Sequence, residues 1–195
     1  MPRGPRIAPG DVIFHVLNRG NGRMRIFDKE GDYAAFEKIL EETIQASPIR
    51  VLAWIAMPNH WHLVLWPKRD DDLGRFMQRL TVTHVRRWHE HRHSTGVGHL
   101  YQGTYKSFPL QEDKHLLTVC RYVERNPLRG GLVERAEDWR WGSLWIRQAG
   151  SAEQKKLLTP LPIQLPADWL EFVNQPQGAA EVESMRECIL RGRPY

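Results

Sequence analysis

The sequence predicts an α+β domain, an antiparallel sheet carrying helices on one face. Three observations predict it. Short runs rich in β-branched and apolar residues alternate with longer segments whose apolar residues recur at helical spacing. Two of the short runs, 49–57 and 60–66, are separated by Pro58 and Asn59 alone, close enough to form a hairpin. The chain has 195 residues, 41% of them hydrophobic and 26% charged, which suits one medium globular domain with a core.

The elements follow in order. Residues 11–18 (DVIFHVLN) read as a strand, and 18–22 (NRGNG) as a turn-rich loop. Residues 28–46 read as a helix, with Asp28 as its cap and Tyr33, Phe36, Ile39, Leu40 and Ile44 as its apolar stripe; Pro48 ends it. Residues 49–57 (IRVLAWIAM) and 60–66 (HWHLVLW) are the second and third strands. A second helix runs from 72 to about 88, with Leu73, Phe76, Met77, Leu80 and His84 on one side. Residues 104–110 give a fourth strand, and 113–126 a third helix that halts before Pro127. With the helices on one face, the opposite face of the sheet is expected to lie open. The domain is expected over 1–150. Four prolines (Pro160, Pro162, Pro166 and Pro176) break 151–195 into short pieces, so this is a C-terminal extension that packs on the domain or serves as a linker.

Composition narrows the partners. The formal net charge is +5 and the pI about 9.4. Residues 1–25 hold five arginines (Arg3, Arg6, Arg19, Arg23 and Arg25) against one acid, Asp11, whereas 151–195 hold five bases and six acids. A positive field concentrated at one end favours a phosphate backbone as partner. No apolar run approaches the roughly 20 residues that span a bilayer, so no membrane partner is expected. The first residues lack the apolar core of a secretory signal. The two cysteines, Cys120 and Cys188, form no C-x-x-C pair, and a reducing cytoplasm is the expected setting.

Two patterns carry chemistry. In His60-Trp61-His62 the histidines lie at i and i+2 of a strand, so they project from one face, while Trp61, Leu63 and Leu65 project from the other. Two neutral imidazole nitrogens, one further oxygen donor and open positions suit Mg²⁺ or Mn²⁺ handling a phosphate; they do not make a closed zinc site. The same pair can also be two surface histidines on a half-buried strand. In the third helix Leu116, Leu117, Val119, Cys120 and Val123 form the buried arc, and Tyr122 and Asn126 stack one turn apart on its flank. A phenol there becomes a nucleophile if a base or cation helps it lose its proton, and the amide oxygen of Asn126 can be the third metal ligand. A rim tyrosine and a helix-ending asparagine fit the same spacing. The run HEHRH at 89–93 reads as a solvated helix end and is not counted as a site.

Together these stretches resemble a known family. Residues 57–65 (MPNHWHLVL) resemble the His-hydrophobic-His motif of the HUH single-tyrosine transposases. Residues 121–133 (RYVERNPLRGGLV) resemble the tyrosine helix of one branch, the REP-associated tyrosine transposases. The blocks 18–20 (NRG), 102–107 (QGTYKS) and 141–143 (WGS) match that branch in order and spacing, so the resemblance covers roughly 5–145. It implies a ferredoxin-like sheet, His60 and His62 as metal ligands, Tyr122 as nucleophile and Asn126 as third ligand. It implies endonuclease and strand-transfer activity on single-stranded DNA near hairpins of repetitive extragenic palindromes, through a 5′-phosphotyrosine link. Relatives of this kind include monomers and homodimers, and they continue past the C-terminal segment, so a truncated extension is expected here. Arg3, Arg6, Arg19, Arg23 and Arg25 are expected to contact DNA, with Tyr101 and Tyr105 stacking on bases and Lys106 holding a phosphate. Three other readings remain at this point: a replication or relaxase nuclease with the same histidine pair, a hairpin-binding protein without catalysis, and a zinc hydrolase.

Overall fold

The computed structural model describes residues 8–111, 114–178 and 183. Its strands are β1 (Ile13–Arg19), β2 (Arg50–Met57), β3 (His60–Trp66) and β4 (Lys106–Leu110). They form one sheet in the order β2-β3-β1-β4, with every neighbouring pair antiparallel. Helix α1 (Glu30–Ala46) connects β1 to β2, and α2 (Asp72–His91) connects β3 to β4. This is the expected ferredoxin-like α+β arrangement. The hairpin between β2 and β3 turns at Pro58-Asn59, as its length requires.

On one face, Val16, Trp54, Trp61, Leu63 and Leu65 meet Tyr33, Phe36, Ile39 and Leu40 of α1 and Leu73, Phe76, Met77 and Leu80 of α2. These are the stripes read from spacing. The start of α1 differs by two residues from the expectation. The Asp28 carboxylate pairs with Arg92, and it is Asp32, one turn into α1, that accepts hydrogen bonds from the backbone N–H groups of Asp28 and Lys29. A carboxylate inside the first turn reaches those orphan donors as well as a cap can.

The opposite face is not open, which corrects the expectation. Helix α3 (Lys114–Glu124) and the short α4 (Asn126–Arg129) lie across it. Leu116, Val119, Cys120 and Val123 of α3 pack on Ile13, Leu52, Ile55, Met57 and Val64. The 151–178 part of the extension packs there too. Helix α7 (Trp169–Asn174) inserts Trp169 and Val173 into this second core. Between them, α5 (Ser143–Ala149) and α6 (Ala152–Lys155) run past the β2 side of the sheet. The outer edge of β2 is covered by backbone. Ala56 N–H donates to the Trp141 carbonyl, Gly142 bridges Ile55, and Thr159 N–H donates to the Val51 carbonyl. Covering an edge this way removes a template for unwanted strand pairing. The close approach favours glycine at 142, because a Cβ there would lie 3.1 Å from the Trp54 carbonyl and would push the Ile55 terminal methyl aside.

Candidate active site

The site sits at the end of the sheet where β3 begins. The register places His60 opposite Arg19 and His62 opposite Leu17, with Lys106 beside Leu17 on β4. Partners across strands share a face, so His60, His62, Arg19 and Lys106 all belong to the α3 side. His15, two residues before Leu17, belongs to it as well. The His60 and His62 ring centres are 5.1 Å apart, close enough to share one ion. Burial holds both imidazoles neutral. His60 is pushed down to about 3, first by desolvation and then by the charges of Arg19 and Arg129. His62 is pushed well below its usual range by burial and then by its neighbours His15 and His60. A neutral imidazole keeps one lone pair for a cation.

Helix α3 brings Tyr122 to this group. Its ring centre lies 5.9 Å from that of His62 and 6.4 Å from that of His15, edge-on to both. Tyr122 is 4% exposed and belongs to the second core, so its flank of the helix is not outside the packing as the wheel suggests. The reason is the covered face. With two helical layers around the sheet, α3 buries a wider arc than its aliphatic stripe. The Arg129 guanidinium stacks 4.1 Å above the Tyr122 ring and donates to the Asn126 side-chain oxygen at 3.0 Å. Asn126 also interacts with His60, favouring its charged form. The Asn126 side-chain nitrogen is buried with no hydrogen-bond partner, and so is Nε of Arg19. Two buried donors without acceptors at one site mark a place for an anionic oxygen, because such groups are costly unless a ligand satisfies them.

The stretch 121–126 divides its residues between two tasks. Tyr122 and Asn126 face the histidines. Arg121, Glu124 and Arg125 face the other way and hold α7. Glu124 is fully buried and accepts from the Ser143 hydroxyl at 2.6 Å, the Trp169 indole at 2.8 Å and Arg147 at 3.3 Å. Arg121 donates to the Gln175 carbonyl, and Arg125 to those of Val173 and Asn174. These are the orphan carbonyls at the C-terminal end of α7, where a cation is favoured.

Sequence reading missed His15, Arg129 and the structural job of Glu124. The signal for His15 was present: it stands on a strand, in step with Leu17 and Arg19. Of the expected DNA contacts, Arg3 and Arg6 lie outside the described residues. Arg23 is exposed, and Arg25 is exposed beside Asp28. Arg19 and Lys106 lie on the site face. Tyr105 is half-buried and packs on the first core. Tyr101 is corrected: its ring is buried, and its hydroxyl joins the Trp61 indole and the His84 imidazole, so it has no face free for a base. It is a core bridge between β3 and α2.

Comparison with known proteins fits this geometry. The family model described as transposase, IS200 like, matches residues 10–126, from before β1 through Asn126. The chain belongs to the IS200-like transposase family. Within that family it is similar to the REP-associated tyrosine transposase of Escherichia coli strain K12. The two are 23% identical over 136 residues, covering 67% of this chain and 74% of that protein. In fold this chain is similar to a REP-associated tyrosine transposase solved with a bound REP hairpin. That match has a TM-score of 0.60 at 18% identity and covers 92% of this chain and 96% of the other. The structural likeness extends beyond β1–α4 and so takes in most of the described extension.

Proposed function

We propose that the chain is a metal-dependent single-stranded DNA endonuclease and strand transferase that works at hairpins through a 5′-phosphotyrosine intermediate. The observation that carries this reading is the meeting of Tyr122 with His60 and His62 on one sheet face. The hairpin substrate is taken from the relative solved with one, and the site's two unsatisfied donors suit a phosphate.

The donor set fits a hard divalent cation. His60 and His62 offer neutral nitrogens, and the Asn126 oxygen, which accepts from Arg129 and meets His60, would be the third donor. Among the described residues no group of three His, Cys, Asp or Glu is arranged to hold a metal ion, so a closed zinc site is a poor fit. Mg²⁺ or Mn²⁺ bound there would supply Lewis-acid stabilisation of the scissile phosphate. The protein's own groups do the rest. Arg19 and the Asn126 amide donate to phosphate oxygens and orient them. Tyr122 gives up its proton, and its oxygen forms a bond to phosphorus. The phosphorus–O3′ bond breaks, and the departing oxygen takes a proton to become a free 3′-hydroxyl. The DNA 5′ end stays on Tyr122, so rejoining to the same or another 3′-hydroxyl needs no nucleotide. Arg129 lies over the phenol ring, where negative charge grows as the proton leaves. Both motifs come from one chain, so a monomer has a complete set.

End-labelled single-stranded hairpin DNA with unpaired flanks tests the reading. Nicking should require Mg²⁺ or Mn²⁺, stop on adding chelator, and disappear in His62→Ala while DNA binding persists. Binding without nicking under either cation would leave a hairpin-binding protein instead.

A further inference from the structure

Each imidazole of the pair has two nitrogens, and only one tautomer leaves the correct one bare. A neutral imidazole carries one proton. A nitrogen that holds a cation must be the one without it, and the partner of the other nitrogen decides the matter. In the HUH pair both partners are visible.

His60 Nδ1 lies 2.6 Å from the Asn59 side-chain oxygen. The orientation of that amide is itself fixed, because the Asn59 nitrogen donates to the Arg23 carbonyl at 3.2 Å. An amide oxygen only accepts, so the Asn59 contact places the His60 proton on Nδ1; the Asn126 side chain, which also meets this ring, is the competing acceptor that the Nδ1 tautomer leaves unserved. His62 Nδ1 lies 2.9 Å from His15 Nε2. The two ring planes differ by 16° with centres 5.1 Å apart. That separation is the nitrogen gap plus two ring radii, so the rings meet edge to edge in nearly one plane, which is the geometry of a linear N–H···N bond. His15 is 3% exposed and stands against Phe108 and Tyr122, so its ring has little freedom to turn. With Nδ1 of His62 occupied by His15, only Nε2 remains for a ligand.

We propose that His15 and Asn59 are positioning residues that hold His62 and His60 in the same tautomer, proton on Nδ1, so that both Nε2 lone pairs face the shared site. His15 accepts at Nε2 and therefore carries its own proton on Nδ1. The functional consequence rests on the cation reading above; the tautomer assignment does not.

The test has two arms for that reason. In the first, the metal-free protein labelled with ¹⁵N-histidine is examined by long-range ¹H–¹⁵N correlation. His15, His60 and His62 should each show a protonated Nδ1 and a bare Nε2. A His62 or His60 signal with the proton on Nε2 would overturn the proposal, and this needs no variant and no metal. In the second, Mn²⁺ alone is titrated and free ion followed by electron paramagnetic resonance. His15→Phe should weaken Mn²⁺ binding about 10- to 100-fold, and His15→Gln, whose amide oxygen can accept from His62, should recover much of it. Wild-type binding with an undiminished His15→Phe would contradict the positioning role. A wild type that binds no Mn²⁺ would remove the cation reading, while the tautomer spectrum still decides for or against His15 and Asn59.

Discussion

Glu124 stands two residues after Tyr122 on the opposite side of α3, and three donors from α5 and α7 end on its carboxylate. Removing a buried acceptor shared by Ser143, Arg147 and Trp169 strands the Ser143 hydroxyl and the Trp169 indole and leaves Arg147 with only its bond to the Leu52 carbonyl. Glu124→Ala should cost about 3–5 kcal/mol in urea unfolding, because the cost of uncompensated buried partners exceeds that of the lost bonds. Tyr122→Phe should behave differently. It keeps the ring packing against His62 and His15 and loses only a hydroxyl, so unfolding should shift by about 1 kcal/mol or less while nicking vanishes. His60, His62, Tyr122 and Asn126 were legible in sequence because each follows from a local period: two along a strand, four along a helix. Arg129 was not, since nothing local says that α4 folds back over the phenol; His15 had its strand period, but nothing local says that β1 lies beside β3.

Two neighbouring strands held a clue to the covered second face. In β2 the run VLAWIAM has no polar alternation, and a strand with both sides apolar has both sides buried. Reading the face as open put weight on the histidines and ignored Leu52, Ile55, Met57 and Val64 beside them. How the extension seats on α3 was also illegible, because part of its grip runs through backbone carbonyls that no side-chain pattern announces. Arg121 and Arg125 grip the end of α7, and Trp169 reaches Glu124. A chain ending at residue 150 should therefore lose more than a tail. It exposes the Glu124 carboxylate and part of the second core, and we expect a thermal midpoint at least 10 °C lower and a loss of nicking, read by calorimetry and the hairpin assay.

The whole molecule combines a basic surface with an unusually histidine-rich interior. His15, His60 and His84 are pushed down to about 3, each chiefly by burial, from an unfolded value of 6.5. Below 6.5 the unfolded chain binds protons that the folded chain refuses. Stability is therefore fully present above about 6.5 and declines as pH falls towards 3, by about 1.4 kcal/mol per pH unit for each such imidazole. Urea midpoints should hold level from pH 7.5 to about 6.5 and fall from there to pH 5; a profile flat throughout would mean these rings are hydrated. For the DNA binding proposed above, the net charge of +5 predicts an affinity that depends on salt. Exposed Arg23 lies on the loop after Arg19, and Arg23→Ala should reduce the slope of log affinity against log salt by about 0.7 if it meets one phosphate of a single strand. The central claim concerns one bond, and mass spectrometry reads it directly. Protein incubated with a hairpin oligonucleotide and Mn²⁺, then digested, should yield a peptide containing Tyr122 that carries a 5′-phosphodeoxynucleotide, absent in Tyr122→Phe. An adduct on another residue, or one that persists in Tyr122→Phe, would contradict the account.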